Sequence, residues 1–270
     1  MLATNQSNGD VSKVCIDTPN DLTQSGRNIK LTIAYDGTNY HGWQIQPNQS
    51  TVQATINRAI SQIMGHPVSI IGAGRTDTGV HATGQVANFV INSDMPTKVI
   101  QRAVNANLPE DIVISEVLEV EDGFHARFSA TRRCYQYTML NRPYPCPFRR
   151  KNTFFIPNRI CLEQSESVCQ VLIGQHNYAA FQKRGSDRIS PVCNIFQANL
   201  NRIDDLVVLT IQADAFLRGM VRAIVGTILV VLRCQNSTEE MKRIIATRNR
   251  SSAGTSAPAK GLTLTAVKYD

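Results

Sequence analysis

Apolar and polar residues alternate from Ile29 to Tyr35 (IKLTIAY), the period of a half-buried strand, and Asp36-Gly37 follows as a turn signal. From Ser50 the period changes. Val52, Ile56, Ala59, Ile60, Ile63 and Met64 recur at spacings of three and four behind a Ser/Thr N-cap, which predicts an amphipathic helix. VSIIGAG (68–74) reads as a strand, RTDTGVHATG as a loop and QVANFVI (85–91) as a further strand. A strand-loop-strand unit would thus present Arg75, Asp77 and His81 at one end of a sheet. Helix 98–105 and strand 112–117 follow, then a strand through RRCYQYTML in which Tyr135, Tyr137 and Met139 share a face. The pattern ends with helix 161–173 stopping at Gly174, strand 206–212 and a largely apolar helix over 220–232. Strands and helices in both halves predict an α+β fold with a mainly antiparallel sheet. The expected divisions are a poorly ordered extension over 1–27 and two halves, 28–125 and 126–270, with no literal repeat between them.

Composition narrows the class. The 270 residues are 42% hydrophobic and 18% charged, the balance of a soluble globular protein rather than a disordered or fibrous one. The longest apolar run, Ala223 to Leu232, is about half the roughly 20 residues that span a bilayer, so it reads as a buried helix. MLATNQSNGDVSKVC carries no export or organelle pattern, and a cytoplasmic location without membrane attachment is expected. Seven cysteines lack any C-x-x-C pair and five histidines are scattered, which predicts reduced thiols and no metal.

The charge is +7, and 20 of the 28 cations are arginine, whose planar fork binds phosphate bidentately and stacks on bases. Its distribution is sharper than its sum. From Gly123 to Leu162 there is no Asp or Glu, yet the stretch holds eight cations interleaved with Phe124, Phe128, Tyr135, Tyr137, Tyr144, Phe148, Phe154 and Phe155. Cations with stacking surfaces suit nucleic-acid backbones and unstacked bases, against the plainer reading of a solvated basic face. The stretch from Glu240 to Asp270 is basic too, either as more phosphate-binding surface or as a solvated tail.

GAGRTDTGVHATGQ satisfies G-x-x-x-x-G from Gly74 to Gly79, but Val80 and His81 stand where a P-loop needs Lys and Ser or Thr. Nucleotide cofactors are therefore not expected. Asp77 lies between glycines that permit close approach of a substrate, and Arg75 offers its carboxylate an opposing charge. Such an Asp is either a nucleophile or a residue that folds its own turn.

The segment GRTDTGVHATGQ (74–85) resembles the signature of the TruA-like pseudouridine synthases, built on an Asp after Arg-Thr. Further segments match in order: YDGTNYHGWQIQ (35–46), TVQ (51–53), NANLPEDI (105–112), FHARFSATRRCYQY (124–137), DAFLRGMVRAIVG (214–226) and APAKGLTLTAV (257–267). Thr78, Gly219 and Thr263 depart from the common pattern, which bears on RNA contacts and not on the reaction. The resemblance implies the pseudouridine synthase fold, with two similar α/β halves, the first catalytic and the second RNA-binding and completing a cleft. It implies Asp77 as nucleophile, Tyr135 stacked on the target uracil, Arg222 paired with Asp77 and Arg75 positioning the RNA. It further implies a homodimer without cofactor, acting on tRNA uridines 38 to 40 in the anticodon stem-loop. A catalytically silent tRNA-binding protein is the alternative.

Overall fold

The computed structural model describes residues 26–183, 185 and 190–269; most of the expected N-terminal extension lies outside them. The element order is β1 (Arg27–Tyr35), α1 (Val52–Met64), β2 (Ile71–Gly72), β3 (His81–Ile91), α2 (Thr97–Asn107), β4 (Ile112–Val120) and β5 (Arg132–Asn141). Then come β6 (Phe154–Ile156), α3 (Ser165–Val171), β7 (Gly174–Asn177), β8 (Val192–Ile203), β9 (Leu206–Ala213), α4 (Met220–Val231), α5 (Ser237–Thr247) and β10 (Leu262–Lys268). The strands form one mixed, mainly antiparallel sheet in the order β4-β1-β3-β10-β5-β9-β8-β7, with β2 beside β3 and β6 beside β5. This is the α+β fold that the alternating patterns predict.

The last strand is the keystone. β10 pairs in parallel with β3 (Thr263 with His81, Leu264 with Ala82) and antiparallel with β5 (Leu264 with Tyr135). The C-terminal chain is therefore not a solvated tail, because its strand is the seam of the sheet. Leu264 is fully buried, and one hydrophobic core runs from Ile29 in β1 through Tyr137 and Leu209 to Ile244 in α5.

Several boundaries differ from the sequence expectation, each for a local reason. Residues 68–70 do not join the sheet, because side chains of α1 take their backbone groups. Ser61 Oγ accepts from Val68 N–H, Asn57 Oδ1 accepts from Ile70 N–H, and Gln53 Nε2 donates to Ile70 C=O. β3 begins at His81 rather than Gln85, since β10 supplies a partner that a reading of local pattern does not see. α3 starts at Ser165, four residues later than expected, where Ser165 Oγ donates to Leu162 C=O. Arg27 belongs to β1 and not to the extension, with its guanidinium bonded to Glu119, Ser93 C=O and Met95 C=O.

Buried polar side chains tie the chain between β4 and β5 to the sheet. Asn28 donates to the carbonyls of Glu121 and Phe124, Asn88 donates to Asn28 Oδ1, and Asn88 Oδ1 accepts from Ala126 N–H. Among the described residues no buried side-chain polar atom lacks a partner. Within them, too, no helix is long and apolar enough to cross a membrane.

Candidate active site

The Arg75-Thr76-Asp77 turn is held from three directions. Thr76 Oγ1 and Tyr35 Oη are 2.9 Å apart, Thr76 C=O accepts from Trp43 N–H at 3.1 Å, and Gly79 N–H donates to Tyr40 C=O at 3.3 Å. The turn closes by Val80 N–H to Asp77 C=O at 3.1 Å, with Gly79 at φ +75°, a left-handed conformation that favours glycine. Gly42, at φ +87°, lets the Trp43 loop come so close that an added Cβ would fall 2.5 Å from Thr76 C=O. Gln85, fully buried, donates to Gly74 C=O at 2.8 Å and braces the loop from β3.

Asp77 then meets a residue 145 positions away. Arg222 Nη1 donates to Asp77 Oδ2 at 3.0 Å, and its Nε donates to Ala257 C=O at 2.8 Å. Ala257 N–H returns a bond to Arg222 C=O at 2.9 Å, so the loop before β10 clasps the first turn of α4. Both ends of the ion pair stay partly solvent-accessible, at 21% and 27% of the side chain. That accessibility leaves the carboxylate reachable while the guanidinium fixes its direction.

Tyr135 reaches the same place through the strand ladder. Leu264 is the register partner of both Ala82 and Tyr135, so Tyr135 lies two strand spacings, about 9.6 Å of sheet, from the chain leaving the Asp77 turn. The residue is 8% exposed and its ring packs edge-on against Phe216, with centroids 5.1 Å apart at 88°. Burial pushes its phenol up to about 12, with the Arg133 charge opposing and the Asp77 carboxylate adding.

The four candidate residues are thus distributed unequally. Asp77 and Arg222 are in contact, Tyr135 is near enough for the Asp77 charge to act on its phenol, and Arg75 is exposed on the Asp77 turn. Two supports have roles that the sequence pattern did not assign, one of them a residue already placed at the sheet end. His81 bridges the turn to neighbouring chain: Gly37 N–H donates to its Nδ1 at 3.1 Å and its Nε2 meets Lys151 C=O at 3.0 Å. Because a carbonyl only accepts, Nε2 carries the proton. Arg133, counted by sequence among eight candidate phosphate binders, is a structural clamp whose guanidinium donates to the carbonyls of Ala73, Arg127, Ala130 and Asp214. A signal for His81 was available in its position at the predicted sheet end; none was available for Arg133.

Among the described residues no group of three or more His, Cys, Asp or Glu is placed to hold a metal. What the arrangement offers is an oriented carboxylate beside an aromatic ring, with arginines around it. This set can act on an electrophilic sugar carbon while a flat base lies against the ring.

Comparison with known proteins gives the same direction. The family model described as tRNA pseudouridine synthase matches residues 31–129 and 168–270, with Asp77 and Arg222 inside the matched segments and Tyr135 between them. The tRNA pseudouridine synthase A of Acetivibrio thermocellus is 44% identical over 243 residues, covering 90% of this chain and 100% of that protein. Its namesake in Thermoanaerobacter pseudethanolicus is 40% identical over 243 residues, with 90% and 100% covered. The one in Thermosynechococcus vestitus is 40% identical over 250 residues, with 92% and 87% covered. The chain belongs to the tRNA pseudouridine synthase family.

Proposed function

We propose that this chain isomerises uridine to pseudouridine in the anticodon stem-loop of tRNA, at positions 38 to 40, with Asp77 as the nucleophile. The observation that carries the reading is the Asp77–Arg222 ion pair, an oriented and accessible carboxylate beside the buried Tyr135 ring. The reaction breaks the N1–C1′ bond of uridine, turns the uracil and joins C5 to C1′; N1 gains a proton and C5 loses one. No oxidant, phosphate donor or metal enters that balance. Asp77 attacks or stabilises the cationic sugar carbon as carboxylates do in glycoside hydrolysis. Tyr135 offers its face to the extruded uracil, Arg222 aims the carboxylate and Arg75, exposed on the turn, holds the displaced backbone.

In this reading the 28–125 half supplies the catalytic turn and the 126–270 half supplies Tyr135, Arg222 and most of the RNA-binding surface. The active unit is a cytoplasmic homodimer that lays one tRNA across both subunits. The test is tritium release from unmodified tRNA transcript labelled at uracil C5, without cofactor, comparing wild type with Asp77→Asn. Release by wild type alone is expected. Binding without release from any tRNA would leave the silent RNA-binding alternative.

A further inference from the structure

Between β5 and β6 the chain leaves the sheet as a lobe, residues 142–153, in the 130–167 stretch that falls between the two segments matched by the family model. The lobe is built rather than loose. Asp205 takes Arg142 Nη1 on one carboxylate oxygen at 3.0 Å and Arg149 Nη1 on the other at 3.1 Å. Arg142 Nε donates to Tyr144 C=O, Arg150 Nη1 to Pro147 C=O and Thr153 Oγ1 to Arg149 C=O. The Arg142 guanidinium lies 4.6 Å over the Tyr144 ring.

On this framework Phe148 is 94% exposed and Tyr144 is 64% exposed. Leaving a Phe side chain in water forgoes about 1.5–3 kcal/mol of burial. A loop braced by that many bonds yet ending on a bare ring presents the ring to something outside the chain. The charge says what. Arg142, Arg149, Arg150 and Lys151 face two carboxylates, Asp205 and, alongside Lys151, Asp36. Among the described residues no carboxylate pairs with Arg150. A contact between two copies centred on the lobe would set these cations against their own copies, whereas RNA brings phosphates and a flat base together.

We propose that the lobe is a second RNA contact, in which Phe148 stacks on an unpaired base while Arg150 and its basic neighbours hold the adjoining phosphates. The lobe is in register with the catalytic turn, since Lys151 C=O accepts from His81, the residue that opens β3 four positions after Asp77. This inference rests on the tRNA substrate proposed above and adds the place where RNA outside the catalytic pocket is gripped.

The experiment measures affinity for unmodified tRNA transcript by fluorescence anisotropy, for wild type, Phe148→Ala, Phe148→Leu, Phe148→Tyr and Arg150→Ala. Phe148→Ala is expected to weaken binding about tenfold, as loss of one base stack does. Phe148→Leu keeps apolar area without a π face and should weaken it nearly as much, while Phe148→Tyr should bind as wild type. Arg150→Ala should lower the slope of log affinity against log salt by about 1. Cys146 gives a readout without mutating the ring. The Arg149 amide beside its sulfur, the Phe148 amide and the charges of Arg142 and Arg149 hold its thiol below the usual range, and bound tRNA should slow its alkylation.

Wild-type affinity in Phe148→Ala, full rescue by Leu, unchanged Cys146 alkylation, or a halved mass of Phe148→Ala in light scattering would each overturn the proposal; the last would make the lobe a contact between copies. Tritium release assayed in parallel separates the two readings. Release by a wild type whose lobe variants bind equally well sinks the lobe alone, and weakened binding by the variants without release by wild type sinks the isomerase alone.

Discussion

Around Asp77 the chain is crowded. A Cβ on Gly42 would fall 2.5 Å from Thr76 C=O, one on Gly72 2.5 Å from the Trp43 ring nitrogen and one on Gly226, in α4 behind Arg222, 1.8 Å from Thr255 C=O. Around Phe148 there is water on nearly every side. In the proposed function both regions display a side chain to the RNA, but the first fixes its carboxylate by packing and a long-range ion pair, the second fixes its ring by polar bonds within one loop and to Asp205. Damage should therefore spread differently. A change near Asp77 alters chemistry or stability, whereas a change at the lobe alters grip on RNA.

The largest expected effect is on the chemistry itself. Asp77→Asn keeps the shape of the turn and removes the proposed nucleophile, so single-turnover tritium release should fall by about four orders of magnitude or more. A fall of only about tenfold would demote Asp77 to a turn-forming residue. Next is Arg222→Lys. Arg222 serves Ala257 C=O with Nε and Asp77 with Nη1 at once, which a single ammonium cannot reproduce. The rate should drop by about 100-fold, on the scale of a lost transition-state contact, with tRNA affinity much less affected.

Crowding itself is tested by Gly226→Ala. The added methyl has to push the 253–257 loop off α4, at a cost of about 3 kcal/mol or more, read as a lower Tm and a lower urea midpoint. The same substitution at Gly123, where a Cβ meets nothing, should leave Tm within about 2 °C. If both behave alike, the contrast between the two regions fails.

The smallest effect is alkaline. Burial raises Tyr135 from the ordinary tyrosine value of 10.0 to about 12. Between those values the unfolded chain has lost a proton that the folded chain keeps, so stability falls with rising pH, by up to about 1.4 kcal/mol per pH unit from this group. Cys169, pushed up to about 11 by burial, acts with the same sign from a lower pH. Tyr35, Tyr40, Tyr137, Tyr178 and Tyr269 are pushed up by burial too and act with the same sign, so Tyr135→Phe should only lessen the loss of stability between pH 10 and 12 in urea melts, by no more than one group's share of the slope.

How far the sequence was legible follows from where each signal lies. IKLTIAY, the helix after Ser50, LVVLTIQ and MVRAIVGTILVVL carry their periods within a dozen residues, and each is found as β1, α1, β9 and α4. The strand expected at 68–74 shrinks to β2 because polar side chains of α1, at positions the helical period leaves out, satisfy its backbone. β10 went unassigned as a strand although its segment was noticed, since seven residues of LTLTAVK carry less local signal than the pairing they make on both sides. At the site, Asp77 and Arg222 were each found by motif, and their contact at 3.0 Å is the relation those motifs imply. The eight cations of 123–162 were legible only as a count. Folding gives four of them three different fates: Arg133 is turned inward onto four carbonyls, Arg142 and Arg149 are countered by an Asp205 far outside the stretch, and Arg150 is left to face solvent.

The sequence by itself determined the local elements, the basic and aromatic character of one stretch, and the identity of a carboxylate set in a glycine-lined turn. These depend on neighbours within one or two turns of chain, where steric and hydrogen-bonding preferences act directly. Tertiary structure alone decided that Leu264 joins Ala82 to Tyr135, that Asp205 takes Arg142 and Arg149, and which aromatic side chains are core and which are bare. Charge pairing and burial depend on distance in space, and that distance is set by the whole sheet closing around its last strand.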